Sequence, residues 1–134
     1  LAKTIIAIVL GEMLIKDFDI RSTLGRKSIV RLMRGGNQQK AIIAREFSRD
    51  SDLIIAVQPT RGLDVGAIEY IHGKLIEIRN QGGAVLVISL ELDEVFNLAD
   101  RIIVMYEGEV VGELDPKTTT ENELGLYMSG SKRS

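Results

Sequence analysis

Leu53-Ile54-Ile55-Ala56-Val57-Gln58-Pro59-Thr60-Arg61-Gly62-Leu63-Asp64 decides the fold of this chain. Five apolar residues run without a polar break and stop at Gln58-Pro59. A strand buried on both faces, as in a parallel sheet, reads this way. Thr60-Arg61-Gly62 then turns the chain into a helix over 65–79, which Asn80-Gln81-Gly82-Gly83 closes. Downstream, 84–88 reads as a second buried strand, 91–98 as a short helix and 101–106 as a third strand. Glu107-Gly108-Glu109 turns into Val110-Val111-Gly112, the pattern of a hairpin, and a last helix is expected over 120–128, after Asp115-Pro116. Strands alternating with helices through short connections predict an open α/β fold. Ligands of such folds bind outside the carboxyl ends of the strands. Those ends are Val57-Gln58 and Ser89-Leu90.

Upstream, Asp50-Ser51-Asp52 breaks a helical pattern whose apolar positions are Ala41, Ile42, Ala44 and Phe47, and Gly35-Gly36-Asn37 opens it. Residues 19–34 are polar and irregular, with Ser22, Thr23 and Gly25 marking a loop. Ile5, Ile6, Val9, Met13, Leu14 and Phe18 give residues 1–18 the pattern of an amphipathic helix. The apolar run 5–10 is far shorter than the ~20 residues that a membrane span needs. The chain opens at Leu1 inside this pattern, the expectation for an excised or incomplete domain.

With 134 residues, 45 % of them apolar and 27 % charged, the chain has the size and balance of one modest globular domain. A net charge of −2 removes the electrostatic case for nucleic-acid binding, and three Tyr, three Phe and no Trp leave few surfaces for stacking bases. Without cysteine there is no disulfide framework and no thiolate metal site.

Met33-Arg34-Gly35-Gly36-Asn37-Gln38-Gln39-Lys40 carries the chemistry. Paired glycines at a helix start let the backbone approach a ligand, and the free N–H groups and dipole end favour a phosphate. About twenty residues on stands the 53–64 segment, and then Val87-Ile88-Ser89-Leu90-Glu91-Leu92-Asp93-Glu94-Val95 and Ala99-Asp100-Arg101-Ile102-Ile103-Val104-Met105. In order and spacing this series resembles the signature motif, Walker B strand, D-loop and switch region of ATP-binding-cassette (ABC) ATPases. Gly-Gly-Asn-Gln-Gln-Lys and Pro-Thr-Arg-Gly-Leu-Asp-Val-Gly-Ala resemble the subfamily that serves simple-sugar and nucleoside importers. The resemblance covers residues 10–130 and implies an α/β fold: part of a P-loop NTPase core with a mostly parallel sheet, plus part of the helical signature subdomain. Residues 1–47 would belong to that helical subdomain and 48–134 to the C-terminal half of the nucleotide-binding core, within a second, degenerate cassette.

The resemblance also implies losses. No G-x-x-x-x-G-K-[ST] phosphate loop is present; in Leu24-Gly25-Arg26-Lys27-Ser28, Arg26 stands where the last glycine belongs. The strand, loop and helix that carry it in the family would lie upstream of Leu1, and their loss would leave an apolar edge or face open to self-association. The Walker B Asp and Glu fall at Val57 and Gln58, and the switch histidine at Leu90. Valine offers no oxygen to Mg²⁺, glutamine takes no proton, and leucine has no donor. No catalytic position is intact, no metal site is expected, and the isolated chain is expected to bind no cofactor and to hydrolyse no ATP. In the intact assembly the resemblance implies ATP and Mg²⁺.

What survives would act in trans: in the family each nucleotide is sandwiched between one cassette's phosphate loop and the other's signature. Arg34, Gly35, Gly36, Asn37 and Gln38 would face a partner's triphosphate, with Arg34 in place of the signature serine, either clamping phosphate or obstructing closure. Gln58 could touch nucleotide in trans or cap its strand. Asp64 matches the D-loop aspartate and also suits an N-cap. His72, the single histidine, reads as a surface or partly buried side chain, and Glu91, Asp93 and Glu94 as favourable charge at a helix start. The implied partners are a second cassette in the same polypeptide or a dimer, membrane permease subunits and, indirectly, a solute-binding protein, at the cytoplasmic face of the membrane. The alternative is a cassette remnant that regulates by contact and binds no nucleotide.

Overall fold

A computed structural model describes residues 4–10, 39, 42–43, 45–46 and 49–134. The five strands are β1 (Thr4–Leu10), β2 (Leu53–Val57), β3 (Ala84–Ser89), β4 (Arg101–Tyr106) and β5 (Glu109–Leu114). The helices of the C-terminal part are α1 (Val65–Asn80), α2 (Leu92–Leu98) and α3 (Glu121–Met128). Gln39, Ile42, Ile43, Arg45 and Glu46 are also helical, ahead of β2.

The sheet runs β2-β3-β1-β4-β5. Its first four strands are parallel, and β5 turns back antiparallel on β4. The hairpin turn is Glu107-Gly108, with φ of 49° and 80°. Positive φ at both central residues matches the twist of the flanking strands.

The helix expected over residues 1–18 is corrected at its centre: Thr4–Leu10 is a strand, hydrogen-bonded on both sides, to β3 and to β4. Thr4, Ile5, Ile6, Ile8 and Val9 are β-branched, which favours a pleated strand and costs χ1 freedom in a helix. A short apolar run satisfies both periodicities, so only pairing with distant strands decides it. The segment expected to belong to the helical part thus supplies the central strand of the sheet.

Among the described residues, the buried core lies on one face of that sheet. Ile5 and Ala7 of β1, Val85 and Val87 of β3, and Ile102 and Val104 of β4 are buried there. Ile71 and Leu75 of α1 and Leu98 of α2 pack with Ile5, Val85, Val87 and Ile43. Val95 of α2 and Leu124 and Tyr127 of α3 pack with Ala7, Ile102, Val104 and Val111. The β2-to-β3 and β3-to-β4 crossovers travel the same way along the sheet, so right-handed connections put α1 and α2 on the same face. Each fully buried Leu or Ile contributes roughly 1.5–3 kcal/mol to stability. On the opposite face of the edge strand β2, Leu53, Ile55 and Val57 remain 52 %, 58 % and 38 % exposed.

Candidate functional site at the carboxyl ends of the strands

From β1 the chain moves two places along the sheet to β2, and from β3 two places the other way to β4. Adjacent strands whose connections diverge open a crevice at their carboxyl ends. Here that crevice lies between the ends of β1 and β3, beside the end of β2. In the sequence that follows β1, Gly11 is the first glycine, but Lys16 and Asp17 stand where the phosphate-loop pattern needs its Gly-Lys pair.

At the end of β2, Val57 is followed by Gln58 in the left-handed region, φ 48°. Its N–H donates to the carbonyl of Ile88 at 2.7 Å, tying the end of β2 to β3. Its side-chain Oε1 is buried without a hydrogen-bond partner among the described residues. Left-handed backbone costs a non-glycine residue about 1–2 kcal/mol, and such strain persists only where the surroundings hold it. The turn after Gln58 is closed by Arg61 N–H to the Gln58 carbonyl (3.3 Å) and Leu63 N–H to the Thr60 carbonyl (3.2 Å), with Gly62 at φ 73°. Asp64 then caps α1, accepting the N–H of Ala67 at 2.9 Å. The N-cap expected for Asp64 is therefore present.

Behind this turn lies a polar cluster inside the fold. Glu94 of α2 is 2 % exposed. Its Oε1 accepts the Thr60 hydroxyl at 2.7 Å, and its Oε2 accepts the hydroxyl of Ser89, the last residue of β3, at 2.5 Å. His72 of α1, 13 % exposed, places Nε2 at 3.1 Å from Oε1. An ionised carboxylate only accepts, so Nε2 is the protonated nitrogen. Burial pushes the Glu94 carboxyl up, and the hydrogen bonds from His72, Ser89 and Thr60 more than offset it, leaving the group below its ordinary value. Ser89 Oγ in turn accepts the Glu91 N–H at 3.1 Å, at the start of α2. Gln39 Nε2 donates to the Pro59 carbonyl of the same turn at 2.8 Å.

Val57, Gln58 and Leu90 thus stand together at the ends of β2 and β3 with Asp64 just beyond, whereas Arg34, Gly35, Gly36, Asn37 and Gln38 lie outside the described residues. Val57, Gln58, Ser89 and Leu90 bring no carboxylate to those strand ends. Both oxygens of Glu94 are taken by protein donors. This set does not fit Mg²⁺, a hard cation that binds through carboxylates and water. Glu94 lies in the first turn of α2, as the helix-start reading has it, and is in addition buried in this cluster. The available signal was its place four residues before Leu98, on the side of α2 that packs inward. His72 is partly buried as expected, and its partner Glu94 was not legible from spacing.

Compared with known proteins, the chain is 57 % identical over 118 residues to the guanosine import ATP-binding protein NupO of Bacillus subtilis, covering 88 % of this chain and 23 % of that protein. It is 56 % identical over 117 residues to the nucleoside import ATP-binding protein NupA of Lactococcus lactis, covering 87 % of this chain and 23 % of that one. Among solved structures, an inward-facing metal-chelate type ABC transporter superposes with TM-score 0.66 at 20 % identity, over 75 % of this chain and 41 % of its own. A dimeric bacterial ABC transporter cassette superposes with TM-score 0.61 at 30 % identity, over 67 % of this chain and 39 % of its own. A scan against protein-family models finds no match. Sheet and crossovers are those of an ABC ATPase cassette, a P-loop NTPase fold, of which the chain forms part. It belongs to the ABC ATPase family, and the curated relatives it matches are ATP-binding proteins of nucleoside import. The chain spans about a quarter of the length of these curated relatives.

Proposed function

We propose that this chain is part of the ATP-binding subunit of an ABC importer for simple sugars or nucleosides. It supplies a signature surface to an ATP site whose phosphate loop belongs to a partner cassette. The observation that carries the reading is the hydrogen bond from Gln39 to Pro59. It sets Gln39, a few residues after the paired glycines in sequence, against the turn that ends in Asp64, which supports a shared surface for the two motifs. High identity to nucleoside importer subunits and likeness to a cassette solved as a dimer support the same arrangement.

In this reading Arg34, Gly35, Gly36, Asn37 and Gln38 meet the partner's triphosphate, and Asp64 faces the partner. Val57, Gln58 and Leu90 leave the chain's own crevice without hydrolytic chemistry, so ATP and Mg²⁺ are held where the partner's residues provide for them. The helical part carries the signature, and residues 48–134 form the C-terminal half of the nucleotide-binding core. The assembly docks on permease subunits at the cytoplasmic face of the membrane, fed by a solute-binding protein; no described helix is long and apolar enough to cross a membrane.

The test is association of the chain with an ABC cassette that has an intact phosphate loop, with and without MgATP. Nucleotide-dependent association that Gly36→Glu abolishes is the expected result. Association indifferent to nucleotide indicates instead a cassette remnant that acts by contact alone.

A further inference from the structure

Thr60, His72, Ser89 and Glu94 come from four separate places: the β2–α1 turn, α1, the end of β3, and α2. Thr60, His72 and Ser89 meet on the single carboxylate of Glu94. With both oxygens engaged, Glu94 is not free to act as a base or a ligand. Its effect is on the groups that hold it.

We propose that Glu94 is a positioning residue that sets the pose of the turn 58–64 and, through Pro59, of the helical segment at Gln39. The inference deepens the reading above and rests on it, since that turn and segment form the surface offered to the partner cassette. Thr60 sits between Pro59, whose carbonyl receives Gln39, and the residues leading to Asp64. Fixing the Thr60 hydroxyl therefore fixes both neighbours. Gln58, two residues earlier, keeps its left-handed backbone because Ile88 holds its N–H and Glu94 holds the turn after it. The Ser89 bond references the whole unit to the end of β3, next to Leu90. Without the carboxylate, Thr60 and Ser89 lose a charged acceptor in a dry place, and the turn is free to relax towards ordinary backbone.

Thr60→Val keeps the side-chain shape and removes the hydroxyl, Thr60→Ser keeps the hydroxyl, and Glu94→Gln removes the charge. Two measurements are made on the whole chain. In hydrogen exchange, Thr60→Val and Glu94→Gln are expected to speed exchange at the Arg61 and Leu63 amides at least tenfold. The Val87 and Val104 core amides should change much less, and Thr60→Ser should behave like the parent. In MgATP-dependent association with a competent cassette, the same two variants are expected to need roughly tenfold more partner, with Thr60→Ser again restoring the parent value. Equal acceleration of turn and core amides, or an unchanged turn, overturns the positioning role. So does unchanged association by Thr60→Val where the parent chain associates. A parent chain that fails to associate refutes the proposed function, and the exchange measurement still decides whether Glu94 holds the turn.

Discussion

Asp100 clasps Ile5 twice, across 95 positions of sequence: its carboxylate accepts the Ile5 N–H at 2.7 Å, and its own N–H donates to the Ile5 carbonyl at 2.8 Å. Arg79 at the end of α1 holds the same carboxylate at 3.1 Å. The residue before β4 thus fixes where β1 enters the sheet, and with it the register that brings Ile5 and Ala7 against the helices.

Asp100→Ala leaves the Ile5 N–H without its side-chain acceptor and frees Arg79. A loss of about 1–3 kcal/mol is expected from urea unfolding, the range for orphaning a donor inside a fold. Asp100→Asn, which keeps an acceptor oxygen, should lose less.

Acid should weaken the fold through Glu94. Its folded carboxyl lies below the ordinary value of 4.5. Below about pH 4.5 the unfolded chain therefore binds the proton first. The stabilisation is complete above that value and is lost as the pH falls on through the folded one. Urea midpoints measured from pH 7 downward should show this limb, and Glu94→Gln should flatten it. At pH 7 that substitution should cost about 2 kcal/mol, the range for hydrogen bonds to a charged group.

Gly112 of β5 lies under the Tyr127 ring; a Cβ there would stand 2.7 Å from Cδ1 and 2.8 Å from Cε1. Gly112→Ala should cost about 1–3 kcal/mol by overpacking, unless α3 moves outward. The double variant Gly112→Ala with Tyr127→Leu should recover part of that loss, as thermal unfolding would reveal.

Leu53, Ile55 and Val57 expose one apolar face of an edge strand, and edges of that kind pair or aggregate. The isolated chain should therefore self-associate at micromolar concentration. Sedimentation should show Ile55→Thr shifting the population to monomer while the circular dichroism spectrum is retained; a monomeric parent chain contradicts the expectation.

The elements from β2 onward were legible because each carries its own punctuation. An unbroken apolar run marks β2, whereas β5 includes Glu109 and Glu113 and is announced instead by the turn at Glu107-Gly108. Thr120 accepts the Glu123 N–H at 3.2 Å where the last helix was expected to begin. The strand ends were legible for the same reason: Gln58-Pro59 and Ser89-Leu90 follow apolar runs. β1 was not, since its seven residues suit a buried helix as well as a buried strand. Which groups hold Glu94 was not legible either, because its three donors sit 5, 22 and 34 positions away.

By itself the sequence determined the order of elements from Leu53 onward and the residue types at the strand ends, which depend on neighbours within a few positions, and the order and spacing of its motifs carried the family resemblance. Only the tertiary structure decided that Thr4–Leu10 is the central strand and that one carboxylate gathers Thr60, His72 and Ser89. Both outcomes depend on partners far along the chain, and apolar or acidic character alone does not say which partners those are.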